Sequence, residues 1–167
     1  LVLIGAGHVN RALAHAAAPL GFDIHVGDCF EGSLNPDHFP AGTHLKQADT
    51  ISAVIEALAI EPANFVIIAT NHQDKEALDR LISRPLAYLG LLASKRKVQT
   101  FTQALRQQGV SQEQLQRLHA PIGYNIGAET PEEIAISILA ELLQVKNGKS
   151  GGLMQDDVRL KRDQLVV

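Results

Sequence analysis

The sequence predicts an α/β fold built on a doubly wound parallel sheet, and three observations predict it. Short apolar runs alternate with helical patterns through most of the chain. Two of those runs, residues 1–4 and 65–69, contain no polar residue, as expected of strands covered on both faces. The first run passes directly into Gly5-Ala6-Gly7 and then into a helical stripe of Val9, Leu13, Ala16 and Ala17. That order makes a strand, a tight turn and a helix whose free N–H groups can meet an anion.

The elements follow in turn. Gly5 can take the turn off the first strand, and Gly7 spares an approaching phosphate a Cβ. A second strand over 23–27 ends in Asp28, twenty-one residues after Gly7, where the acid of a Rossmann-like unit accepts hydrogen bonds from ribose hydroxyls. Asn10 stands where the third glycine of G-x-G-x-x-G belongs. A turn-rich loop over 29–42 leads to a short edge strand at 43–47 and a helix carrying Ile51, Val54, Ile55 and Leu58, capped by Asp49 or Thr50. The strand at 64–70 opens onto Asn71-His72-Gln73-Asp74, of which Asn71 or Asp74 can cap a helix over 75–83. Pro85 ends that region, and 86–92 reads as the fifth and last strand.

Three helices complete the pattern. The first carries Val98, Phe101 and Leu105, the second is short (112–118), and the third runs from 131 to about 145. Thr130, Pro131 and Glu133 form a capping box at the start of the last helix, and Gly148 follows its end. We therefore expect one Rossmann-like domain over 1–146. Residues 147–167, Gly/Ser/Lys-rich and then charged, read as a flexible or arm-like tail.

Composition narrows the function. A chain of 167 residues with 46% apolar content supports one core. A net charge of −3, 4% aromatic residues and no Trp give no reason to expect nucleic-acid binding. No run is long enough to span a membrane. The single cysteine, Cys29, excludes an intrachain disulfide and fits a reducing cytoplasm. Seven histidines lie scattered without H-E-x-x-H or Cys/His spacing and read as surface or packing residues, so no metal site is expected. The chain starts inside a strand without Met, which leaves open an upstream segment that is removed or separately encoded.

Ligands of doubly wound sheets bind at the carboxyl ends of the strands, so loops 5–10, 70–74 and 93–97 should share one rim. Ser94 can cap a helix whose first turn then holds Lys95, Arg96 and Lys97. Three cations there oppose the helix dipole unless an anion sits among them, and Arg96 can grip a phosphate with two N–H groups. Thr70, Asn71, His72 and Asp74 gather hydroxyl, amide, imidazole and carboxylate at the end of a buried strand. The 121–131 loop, with two glycines and a proline at each end, can hold a fixed shape against a ligand. There is no Tyr-x-x-x-Lys pair, G-x-S-x-G elbow or G-x-x-x-x-G-K-[ST] loop, so no residue is assigned to catalysis.

Several stretches together resemble a known family: Gly5-Ala6-Gly7-His8-Val9, then Tyr88 through Lys97, then Pro121-Ile122-Gly123, and Gly127-Ala128-Glu129-Thr130-Pro131 on to Ala140-Glu141. They are similar to the Rossmann domain of the XdhC/CoxI accessory factors of xanthine dehydrogenase, carbon monoxide dehydrogenase and related molybdenum hydroxylases. The resemblance implies a non-catalytic maturation factor that holds molybdenum cofactor, protects it during sulfuration and passes it to the apo-hydroxylase, with a cysteine desulfurase as a further partner. Phosphate or nucleotide contacts would fall on Gly5, Gly7, His8, Ser94, Lys95 and Arg96, beside Asn10, Asp28, Thr70 and His72. The loop bearing Gly123, Asn125 and Glu129 would close the pocket. Family members commonly carry more acid and histidine after the fourth strand, Asp at position 125, Gly at position 93 and a preceding domain. A homodimer is the expected assembly. Two alternatives remain on the residues alone: an NAD-dependent oxidoreductase, from Gly5, Gly7 and Asp28, and a nucleotide-sensing regulatory module.

Overall fold

A computed structural model describes residues 1–155. Its strands are β1 (Val2–Ile4), β2 (His25–Asp28), β3 (His44–Gln47), β4 (Phe65–Ile68), β5 (Tyr88–Leu91) and β6 (Leu118–His119). Its helices are α1 (His8–Ala17), α2 (Ile51–Ala57), α3 (Asp74–Leu81), α4 (Lys95–Gln107), α5 (Gln112–Gln116) and α6 (Pro131–Lys146). All strand pairs are parallel, in the order β3-β2-β1-β4-β5-β6.

The apolar strands are central because only there are both faces covered. Leu3 pairs with Val26 on one side and Ile67 on the other, and all three are fully buried. They join Leu13 of α1 and Ile138 and Leu142 of α6 in one core. Ile4 and Ile68 point to the opposite core with Val54, Ile55, Leu78 and Leu105. Alternation along the strands thus feeds two helix layers. The capping box of α6 forms as its sequence requires, with Thr130 accepting from Glu133 N–H and the Glu133 side chain accepting from Thr130 N–H.

Two details differ from the sequence reading. A sixth strand, Leu118–His119, pairs with β5 through Leu89 and Gly90, and α5 stops at Gln116. Two half-buried residues carry no apolar run, so the strand exists only because β5 offers an open edge. Neither Asn71 nor Asp74 caps α3. Gln73 occupies that position without a side-chain bond, and the Thr70 hydroxyl accepts from Gln73 N–H at 3.0 Å. Asp74 is turned inward instead.

Of the tail, residues 147–151 fold back on α6: Gln144 Nε2 donates to the Lys149 carbonyl at 2.7 Å, and the Tyr124 hydroxyl, which Gly151 approaches, donates to Gln144. The remaining expected tail, 156–167, lies outside the described residues.

Candidate functional site

Strand order reverses at β1, which has β2 on one side and β4 on the other, so the crevice of a doubly wound sheet opens where these strands end. Gly5 makes the turn there. Its φ is +100° and an added Cβ would lie 2.3 Å from the Ala69 carbonyl oxygen, so the exit of β4 forbids any side chain. Gly7 differs: its φ is −73°, and an added Cβ would meet nothing within 4 Å. The protein itself does not require glycine at position 7.

The other residues of this turn divide between rim and support. Asn10 is fully buried, and its Nδ2 donates to the carbonyls of Ile4 at 3.2 Å and Gly5 at 2.7 Å. It sits beneath the turn and fixes its shape rather than presenting a side chain to a ligand, because an amide can satisfy carbonyls that a third glycine would leave to packing alone. Asp28 is buried; one oxygen accepts from Ala6 N–H at 2.6 Å and the other from Phe30 N–H at 3.0 Å. Each oxygen keeps a second lone pair. Ala6 N–H is therefore spoken for, and the N–H groups open to an anion are those in the first turn of α1, at exposed His8 and half-buried Val9. Arg11 holds the neighbouring loop by donating to the carbonyls of Ala6 and Ser33.

Gly5, Gly7, Asp28 and Thr70 line one depression with Phe30 and Asn71. It is small, about 20 Å³, room for about one water molecule; exposed Phe30 stands at its mouth. Thr70 leads from there to the basic helix. Its N–H and hydroxyl donate to Asp74 Oδ1 at 2.8 and 2.6 Å, and the other Asp74 oxygen accepts from the Lys97 ammonium. The buried Asp74 thus neutralises one of the three cations that begin α4. Ser94 caps that helix by accepting from Lys97 N–H. Lys95 and Arg96 are exposed, and their side chains have no ion-pair partner among the described residues.

The 121–131 loop is anchored from below. Gly123 has φ +96°, and an added Cβ would lie 2.5 Å from Ser137 Oγ, which itself donates to the Tyr124 carbonyl at 2.6 Å. Gly123 N–H donates to Glu141 Oε2 at 2.5 Å, and His119 Nδ1 lies 2.6 Å from Glu141 Oε1. Burial pushes the Glu141 carboxyl up, but the bonds from His119 and Gly123 outweigh it and hold it below its ordinary value. Tyr88 stacks on His119 at 4.2 Å; burial, with the Glu141 charge beside it, pushes the Tyr88 hydroxyl far above its usual range. Asn125 and Ala128 line a depression of about 210 Å³ with Leu92, the residue that follows β5.

The rim therefore gathers Gly5, Gly7, Asp28 and Thr70 tightly, and Ser94, Lys95 and Arg96 are tied to it through Asp74–Lys97. His8, His72, Asn125 and Glu129 are exposed, and His8 and His72 form no side-chain hydrogen bond among the described residues. Cys29 is half-buried and burial raises its thiol's pKa, as for an unreactive cysteine. Sequence reasoning missed the Asp74–Lys97 pair, separated by 23 residues, and the Glu141–His119–Gly123 anchor, separated by 22 and 18. Each set joins separate elements, so no period within one helix or strand brings its members together. No described helix is long and apolar enough to cross a membrane.

Comparison with known proteins agrees with this architecture. The chain is 63% identical over its whole length to the uncharacterized protein YqeB of Escherichia coli K12, covering 31% of that protein. It is 27% identical to the molybdenum cofactor insertion chaperone PaoD of the same organism, over 87% of this chain and 40% of PaoD. The crystal structure of a xanthine dehydrogenase (BH1974) from Bacillus halodurans matches with a TM-score of 0.77 and 30% identity, over 89% of this chain and 43% of that one. The chain thus spans well under half the length of each. The family model of the XdhC Rossmann domain matches residues 1–142, and the chain belongs to that family.

Proposed function

We propose that this domain is a cargo-holding part of a maturation factor for molybdenum hydroxylases, and that its rim binds the phosphate or nucleotide portion of molybdenum cofactor. The observation that carries the reading is the contrast between the two glycines of the turn. Gly5 is required by the fold, whereas Gly7 has ordinary backbone angles and open space where a side chain would stand. A glycine that the protein does not need for itself is accounted for by a ligand that must come close to the backbone.

The residues present fit an anionic cargo. The first-turn N–H groups of α1 and the exposed Lys95 and Arg96 supply positive potential, and Asp74 has already withdrawn Lys97 from that role. Asp28 keeps lone pairs for a sugar hydroxyl, and the loop around Asn125 would close over the cargo. These side chains would bind and orient, and the molybdenum chemistry would belong to the cargo. The names of PaoD and of the Bacillus halodurans protein support a role beside a molybdenum hydroxylase. The apo-hydroxylase as recipient, a cysteine desulfurase as sulfur source, a homodimer and a cytoplasmic site of action belong to the same proposal. NAD is the competing ligand, favoured by Asp28.

Native mass spectrometry under anaerobic conditions tests this, with molybdenum cofactor, NAD, NADP and a nucleoside diphosphate offered together. Retention of the pterin species is expected. Retention of NAD alone would overturn the proposal. Lys95→Ala with Arg96→Ala should weaken binding of the retained ligand by about tenfold or more, the scale of one lost charged hydrogen bond, with an unchanged unfolding midpoint. Unchanged affinity would remove the basic helix start from the site.

A further inference from the structure

A second group of ligating side chains meets at the other end of β2, away from Asp28 and outside the rim. His25 opens β2 and His44 opens β3, and the parallel register pairs them directly. Paired residues of neighbouring strands face the same side of a sheet, and the two rings stack with centroids 4.5 Å apart. Asp23, just before the strand, lies between their outer nitrogens. Its Oδ2 is 2.9 Å from His25 Nε2 and its Oδ1 is 3.3 Å from His44 Nε2. One donor atom from each residue falls within 4.8 Å of the others.

We propose that Asp23, His25 and His44 bind a divalent transition-metal ion of the zinc class, with water completing the coordination. A tetrahedral ion with bonds of about 2.05 Å holds its donor atoms about 3.3 Å apart; His44 Nε2 lies 3.3 Å from Asp23 Oδ1 and His25 Nε2 lies 2.9 Å from the other oxygen, Oδ2, so binding would turn the exposed carboxylate to bring one oxygen to the ion. Two imidazoles and one carboxylate are the donor set of metal sites that keep a position open. Space for that position exists: a depression of about 360 Å³ adjoins the group, bordered by Asp23, His25, Leu58, Glu61 and Asn64. Without an ion the two carboxylate oxygens accept from the two Nε2–H groups; an ion would replace those protons and use the lone pairs of both neutral rings. Two of the three ligands sit on paired strands, so their backbone is fixed before binding. The ion would also clip β3, an edge strand with β2 as its one neighbour, to the rest of the sheet.

The test uses the untagged 167-residue chain, titrated with Zn²⁺ by calorimetry and with Co²⁺ by visible absorption. One ion per chain is expected, with Co²⁺ bands of a low-coordinate site and a Zn²⁺-dependent rise in melting temperature. His44→Asn and Asp23→Asn, both on exposed side chains, should each weaken Zn²⁺ by more than about tenfold, since even outer-sphere partners cost that much, and should abolish the melting shift. Circular dichroism of each variant checks that it folds. His15→Asn, a histidine remote from the cluster, should change nothing. Absence of binding by the unmodified chain, or equal affinity in His44→Asn and Asp23→Asn, would overturn the proposal. The metal titration does not depend on the cargo reading, and either can fail alone.

Discussion

At the scale of single residues, the two glycines of the first turn should respond oppositely to the same methyl group. Gly5→Ala places a Cβ 2.3 Å from the Ala69 carbonyl at φ +100°, combining left-handed strain with a backbone clash. It should lower unfolding free energy by more than about 2 kcal/mol, read from urea denaturation. Gly7→Ala meets neither obstacle and should cost about 1 kcal/mol or less, mostly through weaker capping of α1, while reducing anion binding. Equal destabilisation by both would show that Gly7 is structural and would remove the main support for the rim as a binding site. The glycine spacing was legible in the sequence, but the distinction between the two was not, because it depends on how near β4 comes to each. Asn10 is a similar case. Its position in the motif marks it as unusual, yet only its burial shows that it supports the turn from beneath.

At the scale of elements, Asp74 joins three pieces: the exit of β4 at Thr70, the start of α3 and the start of α4 through Lys97. Asp74→Ala would leave the Thr70 N–H and hydroxyl without their acceptor and Lys97 without its counter-charge. We expect a loss of about 2–3 kcal/mol, below the full cost of breaking a buried pair because the Lys97 side chain is 38% exposed. Urea unfolding of Asp74→Ala checks this, and a loss under about 0.5 kcal/mol would sink the idea that the pair holds the rim together. A second consequence concerns Lys95 and Arg96. With Lys97 paired, the cationic first turn of α4 is less self-repelling than its sequence suggests, and two of its three cations have no counter-charge among the described residues. The tripeptide was readable as an anomaly. Which of its members had a partner was not, since that partner lies 23 residues upstream.

At the scale of the whole molecule, Glu141 couples the last helix to β6 and to the 121–131 loop through His119 and Gly123. Its carboxyl titrates below the ordinary 4.5 in the folded chain. The folded state therefore binds that proton less readily than the unfolded chain does. The associated stability is present above about pH 4.5 and is lost as pH falls through the lower folded value. Unfolding midpoints from pH 6 down to pH 3 should fall more steeply for the unmodified chain than for Glu141→Gln, which has no such proton to take up. Parallel curves would remove Glu141 from the acid response. The loop it holds carries Asn125, which the cargo reading assigns to the pocket, and loss of the anchor should loosen that loop before the central sheet.

The α/β architecture, the two central strands, the turn glycines, the capping box of α6 and the family were all readable from the order of residues. Each of these follows from local chemistry: apolar runs need cover on both faces, and caps and tight turns are met by neighbours a few residues away. Only the tertiary structure decided what those pieces do to one another. It showed β6, which is too short to have a pattern of its own. It showed Asn10 beneath the turn, Asp74 pairing with Lys97, and Glu141 closing the loop. It also brought Asp23, His25 and His44 together, although the histidines are 19 residues apart in sequence, because parallel pairing of β2 with β3 aligns their first residues. Contacts of that kind depend on strand order and register, which are set by how the two apolar cores close around the sheet.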